Sequence, residues 1–424
     1  MSQGLSRSHR RPRAKTKGLP WLHVFSWASL VAAFIIGLIW QQPNYPQLLQ
    51  QTFPNDEISR IADVRGEQYQ LKQGDVTRYL SLGQSQGYGG PMLLAVETNE
   101  KGRITSTILL EHKETPGYIN RFRQGRFYRQ FDNQLLNKDY QIGLDIDGLS
   151  GATLSSQGLT SGIRAAAHNA AERYSLPQNW QRPEFIVGYK ELLAVLLFVA
   201  ALIVKKVPRQ WQKRYNQLLA ISSVVLIGYW LNSALSITMI GSLLLGYIPS
   251  PQQHLLWYIM LTGSLGSILF LGRNVYCTKL CPFHQIQRWL HQLSGLNLQL
   301  YPWLKQRMKL WTNALLWLSL MLIFLSRTPA IGSYEPFSML FSLEGVGIQW
   351  YILPLSIFGA FVVNDFWCRM LCPLGRFLTY SVEMRAKTLK QFRKGKQIAI
   401  KDVSHEHKPA DKPKKREPAA DTIR

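Results

Sequence analysis

The four cysteines of the chain form two matching pairs. Cys277 and Cys281 stand in the run Tyr-Cys-Thr-Lys-Leu-Cys-Pro, and Cys368 and Cys372 stand in Trp-Cys-Arg-Met-Leu-Cys-Pro. Two thiols four residues apart share one face of a helical turn. The proline that follows ends the helical hydrogen-bond ladder, so the backbone can bend around a ligand. Four thiolates suit an iron–sulfur cluster or a tetrahedral zinc ion, and thiolates alone do not choose between them.

The alternative is four buried and inert cysteines, because free cysteine is among the most buried residue types. That alternative does not explain why the two motifs belong to an internal repeat. An offset of 91 residues relates the two pairs, and the same offset pairs Ile240-Gly-Ser with Ile331-Gly-Ser. A parallel duplication of two helical hairpins predicts a pseudo-two-fold axis along the membrane normal. Such an axis brings the four thiols to one side of the protein.

A second candidate site lies in the run Asp147-Gly-Leu-Ser150-Gly151-Ala152-Thr153-Leu-Ser155-Ser156. Its glycine and alanine let the backbone approach a bulky group closely. Its hydroxyl groups precede a helix expected to start near Thr160, and the N–H groups at a helix start favour a phosphate. A Ser/Thr cap with nothing bound accounts for these features equally well.

This run resembles the flavinylation motif Asp-x-x-(Ser/Thr)-Gly-Ala-Thr of FMN-binding domains. Such domains occur in the G subunit of Rnf complexes, the C subunit of sodium-pumping NADH:quinone reductases and NosR/NirI-type membrane proteins. The resemblance implies that Thr153 carries FMN through a phosphoester bond, attached outside the cytoplasm by a flavin transferase. It also implies that Asp147, Ser150, Gly151 and Ala152 contribute to the FMN site.

A second stretch is similar to loops that lie near the flavin in the same family. Gly87-Tyr-Gly-Gly is followed by a predicted hairpin of two strands, Met92–Thr98 and Ile104–Leu110, around the turn Asn99–Arg103. The run Glu114-Thr115-Pro116-Gly117 comes next. The resemblance assigns these four residues to cofactor binding.

The second half of the chain resembles the membrane domains of NosR and NapH-type proteins, which carry paired Cys-x-x-x-Cys-Pro motifs. The resemblance implies that Cys277, Cys281, Cys368 and Cys372 bind an iron–sulfur cluster, with 4Fe-4S expected. Those relatives continue into a ferredoxin-like domain with further cysteines. No cysteine follows Cys372, so we expect no further cluster in this sequence.

The composition is 46% hydrophobic and 17% charged with a formal net charge of +24, which excludes a mainly disordered chain. Apolar runs long enough to cross a bilayer predict six membrane spans. Lysine and arginine cluster before the first span and in alternate loops after it, which predicts that both termini are cytoplasmic. The apolar run 237–248 is short and is interpreted as a re-entrant segment. The six predicted spans are 21–40, 186–204, 218–235, 254–272, 309–326 and 350–367.

These observations predict an α+β extracytoplasmic FMN-binding domain joined to an all-α membrane domain of about six helices with a two-hairpin repeat. The predicted divisions are a basic cytoplasmic N-terminus at 1–20, an anchor at 21–40, the FMN-binding domain at 43–184, the membrane domain at 186–380 and a basic, disordered tail at 385–424.

The preferred function is electron transfer across the bacterial inner membrane through the cluster and the flavin, from a cytoplasmic-side or quinol donor to a periplasmic acceptor. We expect redox partner proteins or quinol as partners, together with the membrane, and no nucleic acid. A stand-alone catalytic centre is not expected, because no nucleophile–base pair or paired carboxylates stand in a recognisable setting. A redox-sensing regulatory protein and a scaffold with structural zinc are the alternatives.

One difficulty follows from the predicted topology. The hydrocarbon core of a bilayer is about 30 Å thick, which is too far for one efficient electron hop between carriers on opposite faces. The cluster therefore sits deeper than its loop suggests, or the flavin domain docks onto the membrane domain, or a partner or quinone bridges the gap.

Overall fold

The protein folds into a small antiparallel sheet domain followed by a larger helical half. A computed structural model describes residues 20–40, 44–87, 89–114, 116–124, 126–149, 153–177, 185, 187–252, 254–296, 298, 301–342 and 347–406. The predicted basic N-terminus at 1–20 and the end of the predicted basic tail lie almost wholly outside these residues.

The first half of the chain starts with a long apolar helix and continues with the sheet domain. Its elements are α1 (Pro20–Trp40), α2 (Tyr45–Thr52), β1 (Glu57–Arg60), β2 (Gln68–Gln73), β3 (Val76–Gln86), β4 (Pro91–Thr98), β5 (Ile104–His112), α3 (Pro116–Gln124), a 3-10 turn (Tyr128–Phe131), α4 (Thr153–Ala171) and a 3-10 turn (Glu172–Tyr174).

The five strands form an antiparallel meander in which each strand pairs with the next along the chain. The predicted hairpin is confirmed as β4 and β5, which pair with Met92 opposite His112 and with Thr98 opposite Ile104. Strand β4 is almost wholly buried, because α4 covers one face of the sheet and α2 packs near the other. The α+β class of this domain follows directly.

Helix α4 packs its small residues against β3 and β4. Ile163, Ala166, Ala167 and Ala170 are all buried, as their helical spacing predicts. The helix starts at Thr153, seven residues before the predicted start near Thr160. Thr153, Ser155 and Ser156 therefore belong to the start of the helix and do not precede it.

The helical half contains ten α-helices within the described residues, together with π-helical and 3-10 segments. They are α5 (Tyr189–Ile203), α6 (Arg209–Ser222), a π-helix (Ser223–Trp230), α7 (Ile237–Leu244), α8 (Leu255–Leu271), a π-helical turn (Tyr276–Leu280), α9 (Pro282–Ser294), α10 (Pro302–Ser326), a 3-10 turn (Pro329–Gly332), α11 (Phe337–Ser342), α12 (Gln349–Val362), α13 (Phe366–Met370) and α14 (Pro373–Glu406).

Most of the predicted spans are shorter or more interrupted in the structure than the apolar runs suggest. Among the described residues, α10 alone is long and apolar enough to cross a membrane unaided, and α1 with α2 reaches that length only as a pair bent by 63°. Helices α8 and α12 are apolar but shorter. The run 218–235 passes from α6 into the π-helix, and the run 350–367 breaks after Val362.

The helices of the second half share one buried core. Helix α1 packs on α10, where Phe34 meets Phe324 edge-on at 5.6 Å between ring centroids and the Trp317 indole N–H donates to Ser29 Oγ at 3.0 Å. Helix α9 packs on α12, and α14 packs on α8 and α10. The short α7 is buried from Ile237 to Ser242, so it lies inside this helical bundle.

Candidate flavin and iron–sulfur sites

A cavity of about 1290 Å³ lies between the sheet domain and the helical half, and both contribute its walls. Ligand pockets usually measure about 300–1,000 Å³, so this space exceeds what one small molecule needs. The sheet domain contributes the cavity-facing residues His112, Glu114, Arg121, Ile142, Gly143, Asp147, Gly148, Leu149, Ser155 and Gln157. The two sequence stretches assigned to the flavin therefore meet at one place.

The loop around Gly87 to Gly90 passes close to Glu114. A methyl group added at Gly87 would overlap Glu114 Oε1, and one added at Gly89 would lie 2.6 Å from the Lys113 carbonyl oxygen. Both contacts are too short for any real side chain. The glycines thus let the loop cover the buried Glu114, which is 2% exposed and lines the cavity.

The start of α4 holds the other flavin stretch in place. The Leu149 N–H donates to Ser156 Oγ at 3.0 Å, and the Asp147 N–H donates to Gln130 Oε1 at 2.7 Å. Ser155 and Ser156 are buried, whereas the Asp147 side chain is exposed. Ser155 and Gln157, near the start of this 19-residue helix, line the cavity, and the N–H groups at a helix start favour an anionic group.

The structure places some of the predicted flavin residues and leaves others outside the described part. Thr153 is the first residue of α4, Pro116 and Gly117 open α3, and Glu114 and Asp147 line the cavity. The predicted Ser150, Gly151, Ala152 and Thr115 lie outside the described residues.

His112 adds a titratable group to the cavity wall. Burial, followed by the charge of Arg123, lowers the pKa of His112 below its ordinary value. The imidazole is therefore neutral near pH 7 and presents no positive charge to a ligand.

The two cysteine motifs have the same backbone arrangement. The Cys281 N–H donates to the Tyr276 carbonyl at 2.8 Å, and the Cys372 N–H donates to the Trp367 carbonyl at 2.9 Å. Each bond spans five residues, which is the π-helical spacing. The prolines after Cys281 and Cys372 then open α9 and α14, where a missing N–H costs nothing. The two cysteine motifs thus share one local backbone geometry.

Side chains from the first repeat surround a sulfur of the second. Gln287 on α9 donates from Nε2 to Cys368 Sγ at 3.4 Å and accepts from the Trp367 N–H at 2.8 Å. His284 Nδ1 lies 3.6 Å from the same sulfur. Within the second motif, the Gly375 N–H donates to Cys372 Sγ at 3.1 Å. N–H donors aimed at sulfur are suited to thiolate ligands, whose charge they stabilise.

The four thiols suit a shared iron–sulfur cluster by their chemistry. All four are free, with Cys281 and Cys372 buried and Cys277 and Cys368 half-buried. Cys368 is close enough to Cys277 and Cys281 for electrostatic interaction across the repeat. Among the described residues, no three or more His, Cys, Asp or Glu side chains lie close enough together to hold a metal ion as they stand. The residues that would hold the cluster are the four cysteines, with Gln287 as an outer hydrogen-bond donor.

An aromatic cluster, defined here as Phe283, Tyr334, Phe337 and Trp367, separates the cavity from the cysteines. The Trp367 ring lies 5.9 Å from the rings of Phe283 and Tyr334 and 6.4 Å from that of Phe337, between centroids. Phe337 lines the cavity, and Trp367 directly precedes Cys368.

Glu335 lies beside this cluster and was not singled out from the sequence. It lines the cavity, accepts from the Ile237 N–H at 2.8 Å, and is close enough to Cys281 and Cys372 to interact electrostatically with them. A lone acidic residue in an apolar run was the signal that could have identified it. For Gln287 the signal was weaker, since it is one of several glutamines on α9.

Two protein families match these two sites. Residues 87–168 match the FMN-binding domain, and residues 253–308 and 350–388 match the 4Fe-4S binding domain. The first match contains the glycine loop, Glu114 and the start of α4, and the second contains all four cysteines. FMN and an iron–sulfur cluster are therefore the cofactors of this chain, an electron-transport flavoprotein.

Individual relatives match longer stretches of the chain than either family does. The chain is 29% identical over 211 residues to protein NirI of Paracoccus denitrificans, covering 46% of this chain and 30% of the relative. It is 29% identical over 232 residues to the regulatory protein NosR of Pseudomonas aeruginosa, covering 49% of this chain and 31% of the relative. A shorter match, 29% over 119 residues, joins 26% of this chain to 64% of the G subunit of the proton-translocating ferredoxin:NAD(+) oxidoreductase complex of Clostridium ljungdahlii.

The class defined by fold and sites is an FMN-binding domain joined to a 4Fe-4S binding helical domain. Within that class, the chain is similar to NirI and NosR, so the resemblance that its sequence motifs carry is confirmed. The chain spans about a third of the length of the NirI and NosR relatives that it matches.

Proposed function

We propose that this chain carries electrons across the bacterial inner membrane, between a cytoplasmic-side or quinol donor and a periplasmic acceptor. The cluster and the flavin supply the redox chemistry, while the protein fixes their positions and surroundings. Redox partner proteins or quinol are the proposed donors and acceptors.

The observation that carries the proposal is the cavity shared by the two halves. One wall comes from the residues that match the FMN-binding domain, and the opposite side contains Glu335 and Phe337, which lie next to the cysteine motifs. A flavin and a cluster bound at these sites would be separated by a layer of packed side chains and not by the thickness of a membrane.

The proposed topology has six spans, both termini in the cytoplasm and the FMN-binding domain at 43–184 in the periplasm. The distribution of lysine and arginine supports this orientation, since basic loops remain on the cytoplasmic side. The bent and π-helical segments are compatible with it, because irregular backbone within a membrane is tolerated where protein covers it.

We further propose that FMN is attached to Thr153 through a phosphoester bond formed by a flavin transferase. The position of Thr153 at the start of α4 supports this, because a phosphate there meets the N–H groups of the first helical turn. Covalent attachment also prevents loss of a cofactor that an exported domain could not replace from the cytoplasm.

The attachment is tested by replacing single hydroxyl groups on α4. Thr153→Ala is expected to abolish the fluorescent flavin band on a denaturing gel, whereas the matched control Thr160→Ala, on the same helix, retains it. A fluorescent band of full intensity in Thr153→Ala would show that another residue carries the flavin.

Electron transfer is tested in sealed inside-out membrane vesicles. Dithionite, an anion that crosses membranes poorly, meets the cytoplasmic face and is expected to reduce the flavin in the wild-type chain. Cys368→Ser should retain the flavin band but lose this reduction, because one ligand of the cluster is removed. Equal reduction rates in the two proteins would contradict the proposed route.

A second candidate function is redox-dependent regulation, favoured by the description of the NosR relatives as regulatory proteins. In that function, the flavin and the cysteines report redox state to a cytoplasmic partner through the basic C-terminal segment. Deletion of 385–424 separates the two candidates. Loss of a regulatory output with unchanged flavin reduction supports the regulator, and unchanged output supports electron transfer alone.

A further inference from the structure

Aromatic side chains of the helical half line the cavity opposite the residues that match the FMN-binding domain. Tyr229 and Trp230 end the π-helix, and the Tyr229 ring meets Phe341 edge-on at 5.2 Å between centroids. Trp257 on α8 lines the same space and is 4% exposed. Tyr229 and Trp230 are 55% and 58% exposed. Large aromatic faces are thus available to a ligand inside the cavity.

Two buried polar atoms on the same side have no hydrogen-bond partner among the described residues. They are Ser233 Oγ and Glu335 Oε1, and both residues line the cavity. Leaving a buried polar atom unpaired is unfavourable, so these atoms are expected to meet a polar ligand. The ligand must therefore be flat enough to pack on aromatic rings and polar at its edge.

The start of α4 opens onto this space. Ser155 and Gln157, which follow Thr153 on the helix, line the cavity together with Asn232 and Ser233 of the helical half. A phosphate held at the first turn of α4 would direct the rest of the cofactor between the two walls. The isoalloxazine ring of FMN has both required properties, a flat aromatic face and an edge of carbonyl and N–H groups.

We propose that the helical half completes the flavin site: the flavin ring lies in the interdomain cavity, against Tyr229, Trp230 and Trp257, with Ser233 and Glu335 facing its polar edge. This inference rests on the proposed attachment of FMN at Thr153. It extends the flavin site beyond residues 87–168, which match the FMN-binding domain.

Flavin fluorescence tests this placement independently of electron transfer. Tyrosine and tryptophan in contact with a flavin quench its emission by donating an electron to the excited ring, and phenylalanine does not. We expect Tyr229→Phe, Trp230→Phe and Trp257→Phe, singly and combined, to raise the emission and lengthen the fluorescence lifetime of the native full-length chain, several-fold when combined. The controls Trp311→Phe and Tyr351→Phe, at exposed positions outside the set of residues that line the cavity, should change neither.

The substitutions to phenylalanine keep an aromatic ring at each position. Flavin content is measured after denaturation, so that each signal refers to the same amount of cofactor. Emission and lifetime equal to those of the wild type in the fully loaded combined variant would overturn the ring site. A chain that carries no flavin at Thr153 would instead overturn the proposed attachment, so the two failures are distinguishable.

Discussion

Gln287 connects the two cysteine motifs through a single side chain. Its amide nitrogen donates to Cys368 Sγ, and its amide oxygen accepts from the Trp367 N–H. Because both groups lie in the second repeat while Gln287 lies on α9 of the first, this amide fixes one motif relative to the other. Outer hydrogen-bond donors of this kind orient metal ligands and adjust their basicity.

Replacing Gln287 by leucine is expected to weaken the cluster without removing a ligand. Loss of an outer-shell partner typically costs about 10–100-fold in metal affinity, so iron should pass to a chelator faster from Gln287→Leu than from the wild type. The control is Gln292→Leu, at an exposed position of the same helix. Equal rates of iron release in both variants would show that Gln287 only fills space.

At the scale of elements, the contact between α4 and β3 depends on glycine. A methyl group at Gly83 would overlap the Gly162 carbonyl oxygen and lie 2.5 Å from the Ala166 nitrogen. Both are backbone atoms, so neither can move aside unless the helix leaves the sheet. This close packing holds the first turn of α4 against the glycine loop, where a methyl group at Gly158 would lie 2.9 Å from the Gly87 Cα.

Gly83→Ala is therefore expected to destabilise the flavin domain by about 1–3 kcal/mol, the usual cost of overpacking a core. The measurement is thermal unfolding of the full-length chain, followed by the flavin emission. Gly74→Asn is the control, because Gly74 has a left-handed backbone that asparagine tolerates and no atom lies within 4 Å of an added methyl group. An unchanged transition temperature in Gly83→Ala would contradict this account.

The sequence predicted these elements where local pattern decides the structure. Alternation around a glycine turn identified β4 and β5, and small residues at helical spacing identified the buried face of α4. The start of α4 was wrong by seven residues, since serine and threonine resemble caps even when they occupy the first turn. The apolar run 350–367 predicted one continuous span, but the helix ends at Val362. The chain turns at Asp365, which has a left-handed backbone at φ 56°.

The cavity itself could not be predicted from the sequence. Its walls include Asp147, Tyr229 and Glu335, which belong to three segments far apart in the chain. Hydropathy and motif spacing describe each segment separately, but they do not specify how the flavin domain sits on the helices. The same limit hid Gln287, whose partners are 80 and 81 residues away.

At the scale of the whole molecule, the cavity shared by the two halves bears on the distance difficulty that the predicted topology raised. Of the three possibilities, it favours docking of the flavin domain onto the helical half. The extra methyl group of an alanine at Gly90 would lie only 3.6 Å from Pro329 of the helical half. The aromatic cluster then fills the remaining space between the cavity and Cys368.

This arrangement places Trp367 in the aromatic cluster that reaches from the cavity wall, at Phe337, to the second cysteine motif. Electron tunnelling falls steeply with distance through protein and more steeply across gaps, so loss of the indole ring should slow transfer. In inside-out vesicles, Trp367→Leu is expected to reduce its flavin more slowly than the wild type, and Trp367→Phe to retain part of the rate. Trp311→Leu, on the exposed side of α10, should match the wild type.

Iron and flavin contents and the midpoint potentials of both cofactors are measured in each variant before the rates are compared. Trp367 is 1% exposed, and a large-to-small substitution in a core commonly lowers the free energy of unfolding by about 2–5 kcal/mol. The phenylalanine variant leaves a smaller void. It therefore keeps the comparison valid if the leucine variant loses its cluster. A fully loaded Trp367→Leu chain that reduces its flavin at the wild-type rate would mean that electrons reach the flavin by another route. In that event the aromatic cluster serves packing alone, and Glu335, which lines the cavity and interacts electrostatically with Cys281 and Cys372, becomes the next position to vary.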